Sequence, residues 1–367
     1  MRKIYHRKDG RYEGRIADIS EDGSKKYISV YGRTAEEAEA KLNAIKAEKQ
    51  VHFKSRTVGG NGELTIRTLF YDWLKIAAIR IKESSLANYR MKIEKHIIPK
   101  FGDLHYCELT AEKVQSFISG KLKCGLSPKY VADIVILMKS VFRHASRTRG
   151  LPNPLEYVEL PKRKSTEVQL LSRNQQKTLQ TYLLNNMCLS SLGILLCFYT
   201  GLRIGELCAL KWEDIDFENG IINVSRTIQR IQNIGRSGIK CCTKLIISEP
   251  KSASSNRKIP IPDVILSYLL KYKSEVEFFM LSGSIKPVEP RVMQYRFAVI
   301  LKKADLPSVH FHALRHMFAS NCIACGFDVK SLSEILGHSS FDITLNRYVH
   351  SSMEQKRKFM SKLNFAA

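Results

Sequence analysis

Two short stretches of this sequence offer nothing to a packed core, and they cut the chain into three. Residues 54–63, KSRTVGGNGE, hold glycines and small polar side chains and predict a flexible linker. Pro152, Pro154 and Pro161, followed by Lys162, Arg163 and Lys164, predict a second. At 367 residues the chain also exceeds the size at which a single core usually stops growing, so several domains are expected on length alone.

The three pieces read differently. Before the first linker, Asp9-Gly10 and Asp22-Gly23 punctuate runs holding Tyr12, Ile16, Ile19, Tyr27, Ile28 and Val30, which predicts three short antiparallel strands. Thr34 to Glu37 fits a capping box opening a helix, with Ala38, Leu42 and Ile45 along one face. Between the linkers, residues 64–150 read as all-helical, with helices over 65–81, 84–97 and 110–119. A fourth is started by Ser127-Pro128, with Tyr130, Ile134, Leu137, Val141 and Ala145 at helical spacing. After the second linker, Ser172 to Gln175 makes another capping box, and IINVSRTIQRIQ and KLIISEP…RKIPIP read as strands of a small antiparallel sheet between helices. The expected class is therefore multidomain and mainly α, with small antiparallel β-sheets.

Charge narrows the partner. Lys plus Arg number 59 against 35 Asp plus Glu, a formal charge of +24 and a pI near 9.7, so a polyanion is the natural ligand. Arg2, Lys3, Arg7, Lys8, Arg11, Arg15, Lys25, Lys26 and Arg33 crowd the N-terminal unit, which reads as a sheet laid against DNA or, more plainly, as a solvated face. The Lys162–Lys164 run fits a linker tracking a phosphate backbone. No apolar run is long enough to span a bilayer, which argues against a membrane. MRKIYHRKDGRY lacks the apolar core of a signal peptide, so a cytoplasmic chain is expected. Nine cysteines, odd in number and irregular in spacing, read as reduced thiols, most of them in apolar contexts such as ILLCFYT.

Three segments hold side chains suited to chemistry. Residues 312–316, HALRH, put two imidazoles and a guanidinium on one helix. A zinc helix of the His-Glu-x-x-His kind would need glutamate where Ala313 stands, and Arg315 would set a cation beside the metal. An anion site fits better, because arginine offers a fixed fork to phosphate oxygens and imidazole exchanges a proton. Cys322 and Cys325 form a lone CxxC, read as buried on a helix rather than as a metal or redox pair. In YTGLRIGELCAL, Gly201 turns the chain and Arg203 opens a helix, where its charge adds to the backbone's preference for anions or is simply paired with Glu206. In LSEILGHSSFDITLNRYVHSS, Gly337 ends a helix, His338 stands in the turn and Tyr348 follows. Tyr348 reads as a half-buried aromatic or as a nucleophile set among cations.

Taken in order, T-G-L-R-I-G-E around Arg203, a hairpin lysine, H-x-L-R-H, L-G-H-S-S and Tyr348 resemble the tyrosine recombinases, especially the integrases of phages and conjugative transposons. The likeness spans nearly all of 172–350. More loosely, residues 1–55 are similar to that family's arm-type DNA-binding domain and 64–155 to its core-binding domain, leaving 170–350 as the catalytic domain. The resemblance implies a site-specific DNA recombinase of a mobile element, working on double-stranded core and arm-type sites without cofactor or metal. It also implies a homotetramer on paired sites, accessory DNA-bending or excisionase proteins, and a place at the bacterial nucleoid. Residues 351–367, with Met353, Phe359, Met360 and Leu363, would form a tail helix docking on the next protomer or folding back in cis. By the same resemblance Tyr348 attacks the scissile phosphate to give a 3′-phosphotyrosyl link, Arg203 and Arg315 hold the non-bridging oxygens, His312 assists proton transfer and His338 hydrogen-bonds the phosphate. Lys251 aligns best as the acid for the leaving 5′-oxygen. Relatives often carry a second basic residue where this chain has Ala253, which leaves Lys258 as a lesser candidate, and His316 reads as structural. Other classes compatible with the scaffold are a non-catalytic DNA-binding regulator and a type IB topoisomerase.

Overall fold

The computed structural model describes residues 4–7, 9–19, 25–41, 43, 64–162, 169–233, 243–248, 256–338, 340 and 357. Arg2, Lys3, Lys8, Arg163, Lys164, Lys251 and Tyr348 lie outside them, as do the first linker, the Asp22-Gly23 turn and the tail apart from Arg357. The chain divides into two compact units, Met1–Ser165 and Thr166–Ala367.

In the first unit, strands β1 (Ile4–His6), β2 (Tyr12–Ile19) and β3 (Lys25–Gly32) form an antiparallel sheet in the order β1-β2-β3. The Asp9-Gly10 turn forms because Gly10 takes φ +81°, a left-handed conformation open to a residue without a Cβ. Arg15 lies on β2, and Lys25 and Lys26 on β3. Arg7 and Arg11 are exposed, each guanidinium 5.5 Å from the centre of the Tyr31 ring. Residues 35–41 are helical behind a cap in which the Glu37 amide donates to Thr34 Oγ1 at 3.2 Å, while the Glu37 carboxylate accepts from the Arg33 amide at 2.8 Å.

The rest of that unit's described residues are mainly helical, with α1 (Ile66–Ala78), α2 (Glu83–Lys92), α3 (Ala111–Lys123) and α4 (Pro128–Arg149) as its longer helices. Thr65, Thr110 and Ser127 each cap a helix by accepting the amide three residues on. Helix α2 runs on through a π-helical turn, Ile93–Ile97, into Ile98–Phe101. The core joins Ile66, Phe70, Ile97, Phe101, Val114, Phe117, Ile134, Met138 and Phe142. Lys162 is exposed.

The second unit is built around α6 (Leu189–Thr200), buried on nearly every side and therefore apolar all round. Around it lie α5 (Arg173–Asn185), α7 (Ile204–Ala209), α8 (Asp263–Tyr272), α9 (Pro290–Lys303), α10 (Ala313–Ala324) and α11 (Val329–Leu336). The Ser172–Gln175 capping box forms in both directions, at 3.3 and 2.9 Å. Where the sequence reads as one small sheet there are two. Strands β4 (Ile215–Asp216), β5 (Ile221–Val224) and β8 (Arg257–Pro260) make a three-stranded antiparallel sheet, whereas β6 (Thr227–Gln232) and β7 (Thr243–Ser248), among the described residues, pair only with each other.

Gly201 ends α6 at φ +66°, and a Cβ there would stand 2.6 Å from Phe318 Cδ1 and 2.9 Å from Leu336 Cδ2. A side chain in that backbone region costs energy by itself, and crowding two packed residues adds to it. Gly201→Ala is therefore expected to destabilise this unit by about 2–3 kcal/mol. Denaturant unfolding followed by Trp212 fluorescence in a Trp73→Phe background measures it, and an unchanged midpoint would contradict the fit.

Candidate active site

Helix α11 stops because Gly337 turns left-handed at φ +63°. Its amide then donates to the Glu334 carbonyl at 3.0 Å, and the His338 amide donates to Ser333 at 3.1 Å, the two bonds of a Schellman closure. The closure satisfies those two carbonyls and leaves the next three, at the negative end of the helix, in need of donors. Three arginines from three distant segments supply them. Arg257 Nε donates to the Ile335 carbonyl at 2.5 Å, Arg315 Nη2 to Leu336 at 2.6 Å and Arg203 Nη2 to Gly337 at 3.0 Å.

Each arginine is held from a second side. Arg315, on α10 and only 2% exposed, also donates Nη1 to the carbonyl of Gly201 at 2.8 Å, so one guanidinium joins the ends of α6 and α11. Arg203 precedes α7 and is half-buried. Its Nη1 donates to Glu206 Oε1 at 2.7 Å, and its amide donates to Glu206 Oε2 at 3.0 Å. Glu206, 4% exposed, accepts from Arg257 as well, Nη1 to Oε1 at 3.1 Å and Nη2 to Oε2 at 2.9 Å. Burial opposes the charge on Glu206. The hydrogen bonds and charge of Arg257, then those of Arg203, outweigh burial and hold its carboxyl below the ordinary value of 4.5.

Arg203 and Arg315 are thus brought onto adjacent carbonyls directly before His338, which is half-buried in the turn. His312 stands exposed at the start of α10, three residues before Arg315. Its ring meets that of buried His316 edge to face at 4.8 Å, and among the described residues no group of three His, Cys, Asp or Glu is placed to hold a metal. Lys258 is exposed on β8, on the opposite side of the strand from Arg257. Arg203 both pairs with Glu206 and reaches the cluster. At the start of α7, a helix of six residues, the Arg203 amide is taken by Glu206. Of the two CxxC thiols expected to be buried on a helix, Cys322 is, and desolvation pushes it up to about 12, but Cys325 stands at the C-cap of α10 and is exposed. Among the described cysteines Cys197, Cys208 and Cys322 are buried and Cys107, Cys124, Cys188 and Cys325 exposed, fewer in the core than their apolar contexts predict.

Arg257 is the residue the sequence reading missed. Its signal was the alternation in Arg257-Lys258-Ile259-Pro260, which puts Arg257 on the inward side with Ile259. An arginine at an inward strand position needs a buried acid.

Comparison with known proteins places this arrangement. The profile of the phage integrase family matches residues 166–355, and that of the N-terminal SAM-like domain of phage integrases matches 65–122. A XerC-like tyrosine recombinase of Caldanaerobacter subterraneus is 29% identical over 99% of this chain and 98% of its own length. The ICEBs1 integrase of Bacillus subtilis is 25% identical over 90% of this chain and 89% of its own. The Tn1549 transposon integrase bound to circular intermediate DNA aligns with TM-score 0.67 and 23% identity, over 82% of this chain and 100% of that one. A λ integrase tetramer bound to a Holliday junction aligns with TM-score 0.60 and 20% identity, over 95% of this chain and 97% of that one. Matched by the family model over more than half its length and sharing its fold with these enzymes, the chain belongs to the phage integrase family and is a site-specific tyrosine recombinase.

Proposed function

We propose that this recombinase is the integration and excision enzyme of a mobile element, with Tyr348 as its nucleophile. The phenolic oxygen forms a bond to the scissile phosphorus of duplex DNA, the bond to the 5′-oxygen breaks, and the 3′-phosphate remains on the protein. Arg203 and Arg315 neutralise the non-bridging oxygens as charge builds on them, the term that usually lowers such a barrier most. His312 takes part in moving the phenolic proton, His338 hydrogen-bonds the phosphate, and Lys251 delivers a proton to the leaving 5′-oxygen. The ester bond is exchanged rather than hydrolysed, so a 5′-hydroxyl strand rejoins by the reverse step.

The observation carrying this reading is the meeting of Arg203 and Arg315 on the carbonyls of Gly337 and Leu336, the two residues before His338. Two cations held side by side next to an imidazole suit a phosphodiester. By analogy with the DNA-bound integrases above and the λ tetramer, four copies assemble on paired sites, the 351–367 tail linking one protomer to the next. Residues 1–55 hold arm-type sites through Arg2, Lys3, Arg7, Lys8, Arg11, Arg15, Lys25 and Lys26. Residues 64–155 hold the core site, and Lys162, Arg163 and Lys164 follow the backbone between domains. Accessory DNA-bending or excisionase proteins set the direction at the nucleoid.

The test is a library of duplexes randomised around a nick, whose short 5′-hydroxyl strand is lost after cleavage and so traps the covalent complex. The wild-type chain is expected to give an SDS-resistant adduct that Tyr348→Phe does not form. Sequencing the trapped DNA defines the site. An adduct persisting in Tyr348→Phe would remove that residue from the mechanism.

A further inference from the structure

We propose that Arg257 is a positioning residue for the two arginines that hold the phosphate. The inference rests on the catalytic reading above and on the run of three carbonyls at the end of α11. Arg257 holds the first, Ile335, and Arg315 and Arg203 hold the next two. It shares the buried carboxylate of Glu206 with Arg203, through two hydrogen bonds at 2.9 and 3.1 Å. With three nitrogens committed to Glu206 and Ile335 and 9% of its surface exposed, its task is to fix the Ile335–Gly337 backbone and the orientation of Glu206. Both set where Arg203 points. Arg257 opens β8, so the pairing of Arg257 with Val224 ties this anchor to the β4-β5-β8 sheet. A guanidinium suits the post because its rigid fork engages the carboxylate through two nitrogens while Nε reaches the carbonyl.

A positioning role differs measurably from a general loss of structure. Replacing one non-bridging oxygen of the scissile phosphate by methyl makes that centre neutral, so arginines matter less to its cleavage. Single-turnover cleavage of the duplex recovered from the trapping experiment is measured with the phosphodiester and with the methylphosphonate, for wild type, Arg257→Ala and Arg257→Lys. Arg257→Lys keeps a cation beside Glu206 and loses the fork, so it serves where the alanine variant does not fold. The expected result is a fall of about tenfold or more on the phosphodiester, of the order of a lost transition-state hydrogen bond, and a several-fold smaller fall on the methylphosphonate, with DNA affinity unchanged. Equal falls on both substrates, or wild-type cleavage by both variants, would overturn the proposal. If wild type itself forms no adduct, the catalytic reading fails first.

Discussion

If Arg203 and Arg315 hold the scissile phosphate as proposed, Arg203→Ala and Arg315→Ala are each expected to cut single-turnover cleavage by about 10²–10³-fold, the usual effect of removing one preorganised donor from a developing oxyanion. Both variants still bind duplex DNA, because sequence-independent affinity comes from many phosphate contacts and the chain carries 59 Lys and Arg. They part company in stability. Arg203 is half-buried, with its side chain 35% exposed, and its loss leaves Glu206 paired with Arg257 and a single carbonyl, that of Gly337, without its donor, so the stability lost is the smaller of the two. Arg315 is 2% exposed and supplies donors to the carbonyls of Gly201 and Leu336, so its removal orphans groups at two helix ends. A loss of about 2–4 kcal/mol is expected for Arg315→Ala, from those carbonyls and the vacated volume. Cleavage assays, DNA-binding isotherms and denaturant midpoints on both variants check the pattern. Wild-type cleavage by either variant would take that arginine out of the phosphate site.

Much of this arrangement is written locally. The hydroxyls of Thr110, Ser127 and Ser172 each meet the amide three residues on, so the helix starts are readable from neighbouring residues alone. Gly201 and Gly337 mark helix ends for an equally local reason, their positive φ. Arg203, Arg315 and His338 stand out as chemistry-bearing residues, and the recombinase resemblance supplies their order. What the sequence conceals is set by tertiary contact. The π-helical turn at Ile93–Ile97 sits in an unbroken helical pattern and leaves no periodic mark. Strands β5 and β8 alternate, β6 does so in part and β7 carries no alternation of its own, so nothing local says that β8 pairs with β5 while β6 pairs with β7. For Arg257 the alternation of β8 gives only the inward side, and its partner, Glu206, is 51 residues away and has no local mark.

Glu206→Ala is expected to be the most destabilising change in the site, by about 3–5 kcal/mol, because it strands Arg257 as a buried charge without its acid. Glu206→Gln keeps the shape and an acceptor, so its loss is smaller and comes mainly from the missing charge. The comparison has a distinctive pH dependence. Glu206 has a folded pKa below its ordinary 4.5, so its ionised form adds stability that is fully present above about pH 4.5 and disappears as pH falls through the folded value. The stability gap between wild type and Glu206→Gln is therefore widest near neutrality and narrows in acid. The other carboxylates held below their ordinary range, Glu213 and Asp216 among them, are common to both chains and cancel in the difference. Denaturant unfolding of the pair from about pH 7 down to about pH 3 measures the gap directly. A gap that stays constant across that range would mean that the Glu206 charge contributes nothing to holding Arg203 and Arg257, and with it would go the electrostatic basis of the three-arginine cluster.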